Sequence, residues 1–163
     1  MKLSIIMPAL NEEQRIGRTL EEYTDFFNRK YKKEYELIVV MNGCTDNTSE
    51  VVEGFKKKHK QVKSLEFKER IGKGGAIIEG FKVAQGDFIG FADADNSTSA
   101  EEFEKLVENI GSCDGIIASR YVRGAVAEPK QSLSRRLGSR GFNVLIRIKC
   151  PCGVLNPDLK VTA

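Results

Sequence analysis

The chain has 163 residues, of which 40% are hydrophobic and 30% charged, and it carries a formal net charge of +3. That is the composition of a soluble globular protein long enough for one domain with a core of its own. It excludes a membrane-spanning class, because no apolar run approaches the ~18 residues that a span requires.

Met1-Lys-Leu-Ser leads straight into a strand pattern rather than a signal peptide, so the expected location is cytoplasmic. The four cysteines, Cys44, Cys113, Cys150 and Cys152, form no C-x-x-C pair and read as mostly free thiols. His59 is the only histidine and lies far from them, which argues against zinc.

Leu3-Ser-Ile-Ile-Met-Pro8 reads as a buried strand stopped by Pro8, with Asn11 as helix N-cap and Gln14 completing a capping box. Ile16, Leu20, Tyr23 and Phe27 keep helical spacing up to the basic residues 29–33. Glu36-Leu-Ile-Val-Val-Met41 is a second buried strand, followed by a polar turn over residues 42–46. Thr48, Val52, Phe55 and His59 form the stripe of the next helix, with His59 a helix-end residue rather than a catalyst. Residues 62–67 alternate as an edge strand does. The next helix starts inside the glycine-rich run 72–75, with Ile77, Phe81 and Ala84 as its apolar stripe.

Residues 88–91 then read as a central strand buried on both faces, ending in Asp93-Ala-Asp95. Ser99 with Glu102 opens a helix whose buried face is Phe103, Leu106, Val107 and Ile110, and residues 115–118 read as another short strand. Strands and helices alternating in this way predict an α/β fold with a mostly parallel sheet and helices on both faces.

Three strand ends carry polar groups: Asn11-Glu12, residues 42–46, and Asp93-Ala-Asp95. In a parallel sheet these ends lie along one edge, where ligands of open α/β sheets collect. Alternate residues of an extended segment point the same way. Asp93 and Asp95 therefore either share one divalent cation or divide between a metal and a ribose. The plainer alternative is a polar turn that caps the following helix. The glycine run offers backbone N–H groups and the Lys73 ammonium to a phosphate or diphosphate, or is simply a tight turn. It is neither a Walker A motif nor a dinucleotide fingerprint.

Five strings in order, Met7-Pro-Ala-Leu-Asn-Glu-Glu13, Val39-Val-Met-Asn-Gly-Cys-Thr-Asp-Asn-Thr48, Gly72-Lys-Gly-Gly-Ala76, Phe91-Ala-Asp-Ala-Asp95 and Ala118-Ser-Arg-Tyr121, resemble family 2 glycosyltransferases. Within that family the chain looks most like the enzymes that glycosylate dolichyl or polyprenyl phosphate. The resemblance implies the GT-A fold, a Rossmann-like three-layer α/β/α sandwich, over residues 1–149, with an atypical tail over residues 150–163. The glycine string and the Asp-Ala-Asp string are typical of the glucosyl branch, so UDP-glucose is favoured as donor and GDP-mannose comes next.

Carried over residue by residue, the resemblance implies that Pro8, Ala9, Asn11 and Glu12 line the nucleotide, with Asn42 near the base or ribose and Lys73 near phosphate. It further implies that Asp93 and Asp95 hold the diphosphate through Mg²⁺ or Mn²⁺. Asp95 and Arg120 would be the catalytic pair, with Arg120 approaching phosphate. The family usually has Asp-Asp-Gly-Ser where this chain has Met41-Asn42-Gly43-Cys44, so one carboxylate is lost and another becomes an amide.

The implied reaction is an inverting, single displacement at the anomeric carbon by an acceptor phosphate oxygen. Phosphate is already anionic, so positioning and neutralisation of the leaving diphosphate matter more than a general base.

Between Arg120 and Lys149, eight basic residues stand against the single acid Glu128, which calls for anionic company. Residues 132–149 place Leu133, Leu137, Phe142, Leu145 and Ile148 near helical spacing. The resemblance sets such a helix near the lipid phosphate, with Arg136 and Arg140 on the acceptor phosphate and peripheral contact at the cytoplasmic membrane face. The alternative is a domain helix with a solvated basic face. Nucleic acid is not expected, because only Tyr121 and Phe142 interleave the basic residues. Family members continue into an Asp-Thr-Gln-Cys-Gly-Phe-Lys-like segment, of which Asn156-Pro-Asp158 is a faint echo. The rival to a transferase is therefore a non-catalytic or incomplete nucleotide-sugar-binding domain that needs a partner or a further C-terminal segment.

Overall fold

The computed structural model describes residues 3–111 and 113–118. The chain divides into two compact units, Met1–Val107 and Glu108–Ala163. In order the elements are β1 (Leu3–Ala9), α1 (Ile16–Tyr31), β2 (Tyr35–Asn42), α2 (Thr48–Lys58), β3 (Val62–Phe67), α3 (Gly72–Val83), β4 (Phe88–Phe91) and α4 (Ala100–Asn109). The strands form one parallel sheet in the order β3-β2-β1-β4. The chain steps outward from β1 through β2 to β3, then returns to the other side of β1. A topological switch point therefore lies between β1 and β4.

The apolar runs of β1 and β2 are continuous because both faces of these strands are covered. On one face Leu3, Ile5, Met7, Leu37, Val39 and Met41 pack with Ile16, Leu20, Tyr23 and Phe27 of α1, Val52 of α2 and Phe103 of α4. On the other, Ile6, Ile38 and Val40 meet Ala76 of α3. The expected layers of helix, sheet and helix are thus present.

The helix α3 differs from expectation in which residues it buries. Ala76 and Gly80 face the sheet, whereas Ile77 is half-buried and Phe81 is exposed. The reason is close approach: a Cβ on Gly80 would lie 2.6 Å from Ile6 Cγ2, so only the smallest residues fit between α3 and β1.

The strand β4 also departs from expectation. It pairs with β1 alone among the described strands, which puts it at an edge of the described sheet, and Phe88, Ile89 and Phe91 are exposed. A short apolar run does not by itself separate a buried strand from an apolar edge strand. For the same reason the strand read at residues 115–118 is absent: these residues carry no strand assignment, and Ile117 is exposed.

Pro8 does not stop β1, which continues to Ala9 with Pro8 opposite Val40. The carbonyl of Ile6 accepts from Ala92 N–H, so Ile6 and, two residues on, Pro8 direct their backbone groups to the β4 side. The strand β4 ends at Phe91, opposite Ile6, so the N–H that proline lacks has no strand to meet there.

Asn11 does not cap α1. The helix opens at Ile16 after Arg15 and Ile16 both donate to the Glu12 carbonyl, and Asn11 stands in the left-handed region at φ 55°. Other expectations hold: β3 is an edge strand, Ser99 Oγ accepts from Glu102 N–H at the start of α4, and His59 ends α2 stacked on Phe55. No helix among the described residues is long and apolar enough to cross a membrane.

The N-terminal edge of the sheet is fastened by a buried carboxylate. Glu36 is wholly buried; its Oε1 accepts from Ser4 Oγ (2.6 Å) and Gln85 N–H (2.8 Å), and its Oε2 pairs with Lys63 Nζ (2.6 Å). Ser4 Oγ in turn accepts from Gly86 N–H, which ties the turn into β4 to β1. Burial pushes the Glu36 carboxyl up, but the hydrogen bonds from Lys63, Ser4 and Gln85 outweigh it and hold the group below the usual carboxylate range.

Candidate active site

At the opposite edge the loops after β1 and β2 are laced together. Asn11 Oδ1 accepts from Thr45 N–H (2.8 Å), Glu12 N–H donates to Thr48 Oγ1 (2.8 Å) and Glu13 N–H donates to Asp46 Oδ2 (3.1 Å). Asn47 N–H returns a bond to Glu13 Oε2, and Asp46 Oδ1 accepts from the hydroxyl and N–H of Thr48. Partial burial pushes the Asp46 carboxyl up, yet these bonds from Thr48 and Glu13 hold it below its ordinary range. The backbone of residues 11–13 is thereby fixed from the loop after β2 as well as from the start of α1.

The loop after β3 is fixed by the end of β2. Asn42 is buried and its Oδ1 accepts from Ile71 N–H at 2.6 Å. Gly43 N–H donates to the Phe67 carbonyl, and a Cβ on Gly43, at φ 70°, would lie 2.8 Å from Arg70 Cγ. A side chain there would push the 67–71 loop away. Gly72 follows at φ 76°, and no side chain caps the first turn of α3. The N-terminus of that helix, with Lys73 on it, is left facing the end of β4.

Burial alternates along the residues that follow β4. Ala92 and Ala94 are buried, whereas Asp93 and Asp95 lie on the other face with side chains 40% and 37% exposed. Lys73 Nζ bonds Asp93 Oδ1, and Arg15 Nη1 lies 4.0 Å from Asp95 Oδ2 while the same guanidinium pairs with Glu12 at 2.7 Å. Asp95 Oδ1 also accepts from Ser97 N–H, so it makes the polar turn and keeps its other oxygen outward.

Helix α1 holds this segment from behind. Thr19 Oγ1 donates to the Ala94 carbonyl (2.9 Å) and Tyr23 OH to the Thr98 carbonyl (2.8 Å). Glu22 accepts from Asn96 Nδ2 (2.7 Å) and from Ala100 N–H (3.1 Å). Burial, reinforced by the charges of Glu22 and Asp93, pushes the Tyr23 hydroxyl well above its usual range, so it stays a donor at any working pH.

The structure thus gathers Asn11, Glu12, Lys73, Asp93 and Asp95 at one sheet edge, with Pro8 and Ala9 at the end of β1 just behind them. Asn42 is there too, but its carbonyl oxygen already holds Ile71. Arg120, Arg136 and Arg140, the helix expected at residues 132–149 and the tail 150–163 lie outside the described residues. Sequence reasoning missed Arg15, Thr19, Glu22 and Tyr23. Their only signal was helical spacing, which does not separate a residue that supports a loop from one that faces water or the core.

Among the described residues no group of three or more His, Cys, Asp or Glu side chains could hold a metal ion by itself. Two carboxylates on one face still fit a hard divalent cation that keeps waters and takes its remaining ligands from a substrate phosphate. They do not fit zinc, which takes three or four protein ligands.

Residues 4–156 match the family model described as glycosyl transferase family 2. The dolichyl-phosphate beta-glucosyltransferase of Drosophila melanogaster is 37% identical over 159 residues, which cover 90% of this chain and 49% of that protein. The chain spans about half the length of the curated relatives it matches. S. aureus TarS 1-349, solved in complex with UDP-GlcNAc, is 28% identical with a TM-score of 0.54 over 68% of this chain and 31% of its own. The mannosyltransferase PcManGT from Pyrobaculum calidifontis, solved with GDP-Man and Mn²⁺, shares the fold at a TM-score of 0.56 and 24% identity, over 69% of this chain and 33% of its own. The parallel sheet with helices on both faces is the GT-A arrangement expected from the sequence.

Proposed function

The chain belongs to glycosyl transferase family 2, and on that premise we propose that it binds a nucleotide diphosphate sugar at the C-terminal edge of its sheet. The sugar, a hexose, then passes to dolichyl or another polyprenyl phosphate. UDP-glucose is the favoured donor over GDP-mannose, since relatives covering most of this chain carry the name dolichyl-phosphate beta-glucosyltransferase. The observation that carries the reading is the pair Asp93 and Asp95 at the switch point between β1 and β4, beside the loops that follow β1 and β2.

In this reading Pro8, Ala9, Asn11 and Glu12 form the floor under the nucleotide, and the bonds from Asn11, Glu12 and Glu13 to residues 45–48 keep that floor rigid. Asn42 acts from below, by fixing the Ile71 backbone and so the start of α3. A divalent cation, Mg²⁺ or Mn²⁺, held by Asp93 and Asp95 would supply positive charge to the leaving diphosphate. Lys73, at an uncapped helix N-terminus, adds a second positive group to the same phosphates. Arg120 is proposed on the phosphate side, and Arg136 and Arg140 on the acceptor phosphate at the cytoplasmic membrane face. The acceptor oxygen is already anionic, so none of these groups has to remove a proton; they hold two anions in line.

The test is transfer of label from UDP-[¹⁴C]glucose to dolichyl phosphate in vesicles by the purified chain with Mn²⁺ or Mg²⁺. Labelled lipid product is expected. Label taken from GDP-mannose instead overturns the donor, and donor binding without any product leaves a nucleotide-sugar-binding domain rather than a transferase.

A further inference from the structure

We infer that Glu22 is the positioning residue that sets the presentation of Asp93 and Asp95, by clamping the turn after them onto α1. This rests on the proposed donor site but adds to it a residue that is not in contact with the donor.

The carboxylates sit where β4 has lost its pairing, since the last register pair is Ile6 with Phe91 and the last backbone bond is Ala92 N–H to Ile6. Beyond that point the sheet no longer fixes the chain, and the pair would follow every motion of residues 93–99. What replaces the sheet is α1. Thr19 holds the carbonyl of Ala94, between the two acids, and Tyr23 holds Thr98. Glu22 is the only one of the three that makes two bonds across the gap: Oε2 to the Asn96 amide, next to Asp95, and Oε1 to Ala100 N–H, the first residue of α4.

Asn96 occupies the left-handed region at φ 59°, where the chain reverses after Asp95. The Asn96 side chain is therefore the natural handle on that reversal, and it offers a donor to a carboxylate that is acceptor-only. An ionised acceptor makes the bond stronger than a neutral pair would. The carboxylate of Glu22 thus acts on the site as the outer partners of metal ligands do: it fixes the ligands' direction without touching the ion.

The clamp has a polarity that can be exchanged. In Glu22→Gln the ionised acceptor becomes a neutral amide, so the bond to Asn96 loses its charge assistance; in Asn96→Asp two carboxylates face each other. Combined, Glu22→Gln and Asn96→Asp restore one donor and one acceptor across the contact while leaving an oxygen for Ala100 N–H, and aspartate tolerates the left-handed backbone.

The experiment is calorimetric titration of the full chain, the three variants and Glu22→Ala with UDP-glucose, with and without Mn²⁺, together with amide exchange at Ala100 and thermal midpoints. Each single variant is expected to lose Mn²⁺-dependent affinity on the order of tenfold. The double variant should recover most of it, while Ala100 exchange stays slow in Glu22→Gln and in the double, which both keep an oxygen for that N–H, and turns fast in Glu22→Ala, which removes both acceptors. Wild-type affinity in the singles overturns the inference, and so does a double variant no better than the weaker single. Should the wild-type chain show no Mn²⁺-dependent binding, the proposed donor site falls, and exchange alone decides the clamp: equal Ala100 rates in wild type and Glu22→Ala refute it. Should Glu22→Gln fail to fold, Asn96→Gly keeps the left-handed backbone while removing the side-chain bond, and its Mn²⁺-dependent affinity is read the same way.

Discussion

Lys73, at the start of α3, bonds the carboxylate of Asp93, at the end of β4, so a positive side chain stands where a divalent cation and a diphosphate would meet. Arg15, which pairs with Glu12 at 2.7 Å, stands farther from Asp95, at 4.0 Å. Asp93 is charge-compensated by the protein itself.

The compensation gives Lys73→Gln two effects of opposite sign. Breaking an exposed ion pair costs ~0.2–1 kcal/mol, a cost that Mn²⁺ binding no longer meets in the variant, so Mn²⁺ alone should bind up to about fivefold tighter. Donor affinity with Mn²⁺ should fall about tenfold, because a charge-assisted contact to phosphate is lost. Mn²⁺ titration followed by electron paramagnetic resonance, with and without UDP-glucose, separates the two.

The end of β2 predicts a graded series. Asn42→Ala leaves Ile71 N–H without its buried partner and should cost ~1–3 kcal/mol of stability along with donor affinity. Asn42→Asp keeps the acceptor and should lose less of both. Denaturant midpoints and donor titration of the two variants check the order.

Two glycines in helices should respond in opposite directions. Gly54, in α2, has nothing within 4 Å of a built Cβ, so Gly54→Ala should stabilise by up to ~1 kcal/mol through helix propensity. Gly80→Val drives side-chain atoms into Ile6 and should destabilise by ~1–3 kcal/mol, because β-branched Ile6 in a central strand has little room to turn. Thermal unfolding of both resolves the sign.

Acidification should weaken the fold through Glu36. Its carboxyl lies below the ordinary value of 4.5 in the folded chain, so the stability it contributes is fully present above that value and is lost as pH falls through the lower folded value. In Glu36→Gln that acid-dependent part disappears, together with the Lys63 pair. Urea unfolding of the two proteins between pH 3 and pH 7 should converge at the acid end.

Much of this was legible in the residues, and the parts that were not have physical reasons. The strands β1 and β2 announce themselves because burial on both faces demands continuous apolar runs. The three polar strand ends could be placed on one edge because a parallel sheet leaves no other arrangement. Phe88, Ile89 and Phe91 read as core because apolar character does not say how many neighbours a strand has. Asn11 followed the pattern of a cap, yet its side chain serves Thr45, a loop contact across 34 positions of sequence that no local pattern encodes. Lys73 was legible as a cation for phosphate, whereas its bond to Asp93 depends on α3 and β4 meeting in space. Glu22 looked like any helix-surface glutamate.

The central claim is that Asp93 and Asp95 form a metal-dependent site for a nucleotide sugar. Its most direct test is calorimetric titration of the full chain and of Asp95→Ala with UDP-glucose, and with GDP-mannose as comparator, each with and without Mn²⁺. The account predicts that the wild-type chain binds UDP-glucose in preference and needs Mn²⁺ to do so, and that Asp95→Ala loses the Mn²⁺-dependent part while remaining folded. Equal binding by the two proteins, or no binding of either donor by the folded wild-type chain, would contradict it.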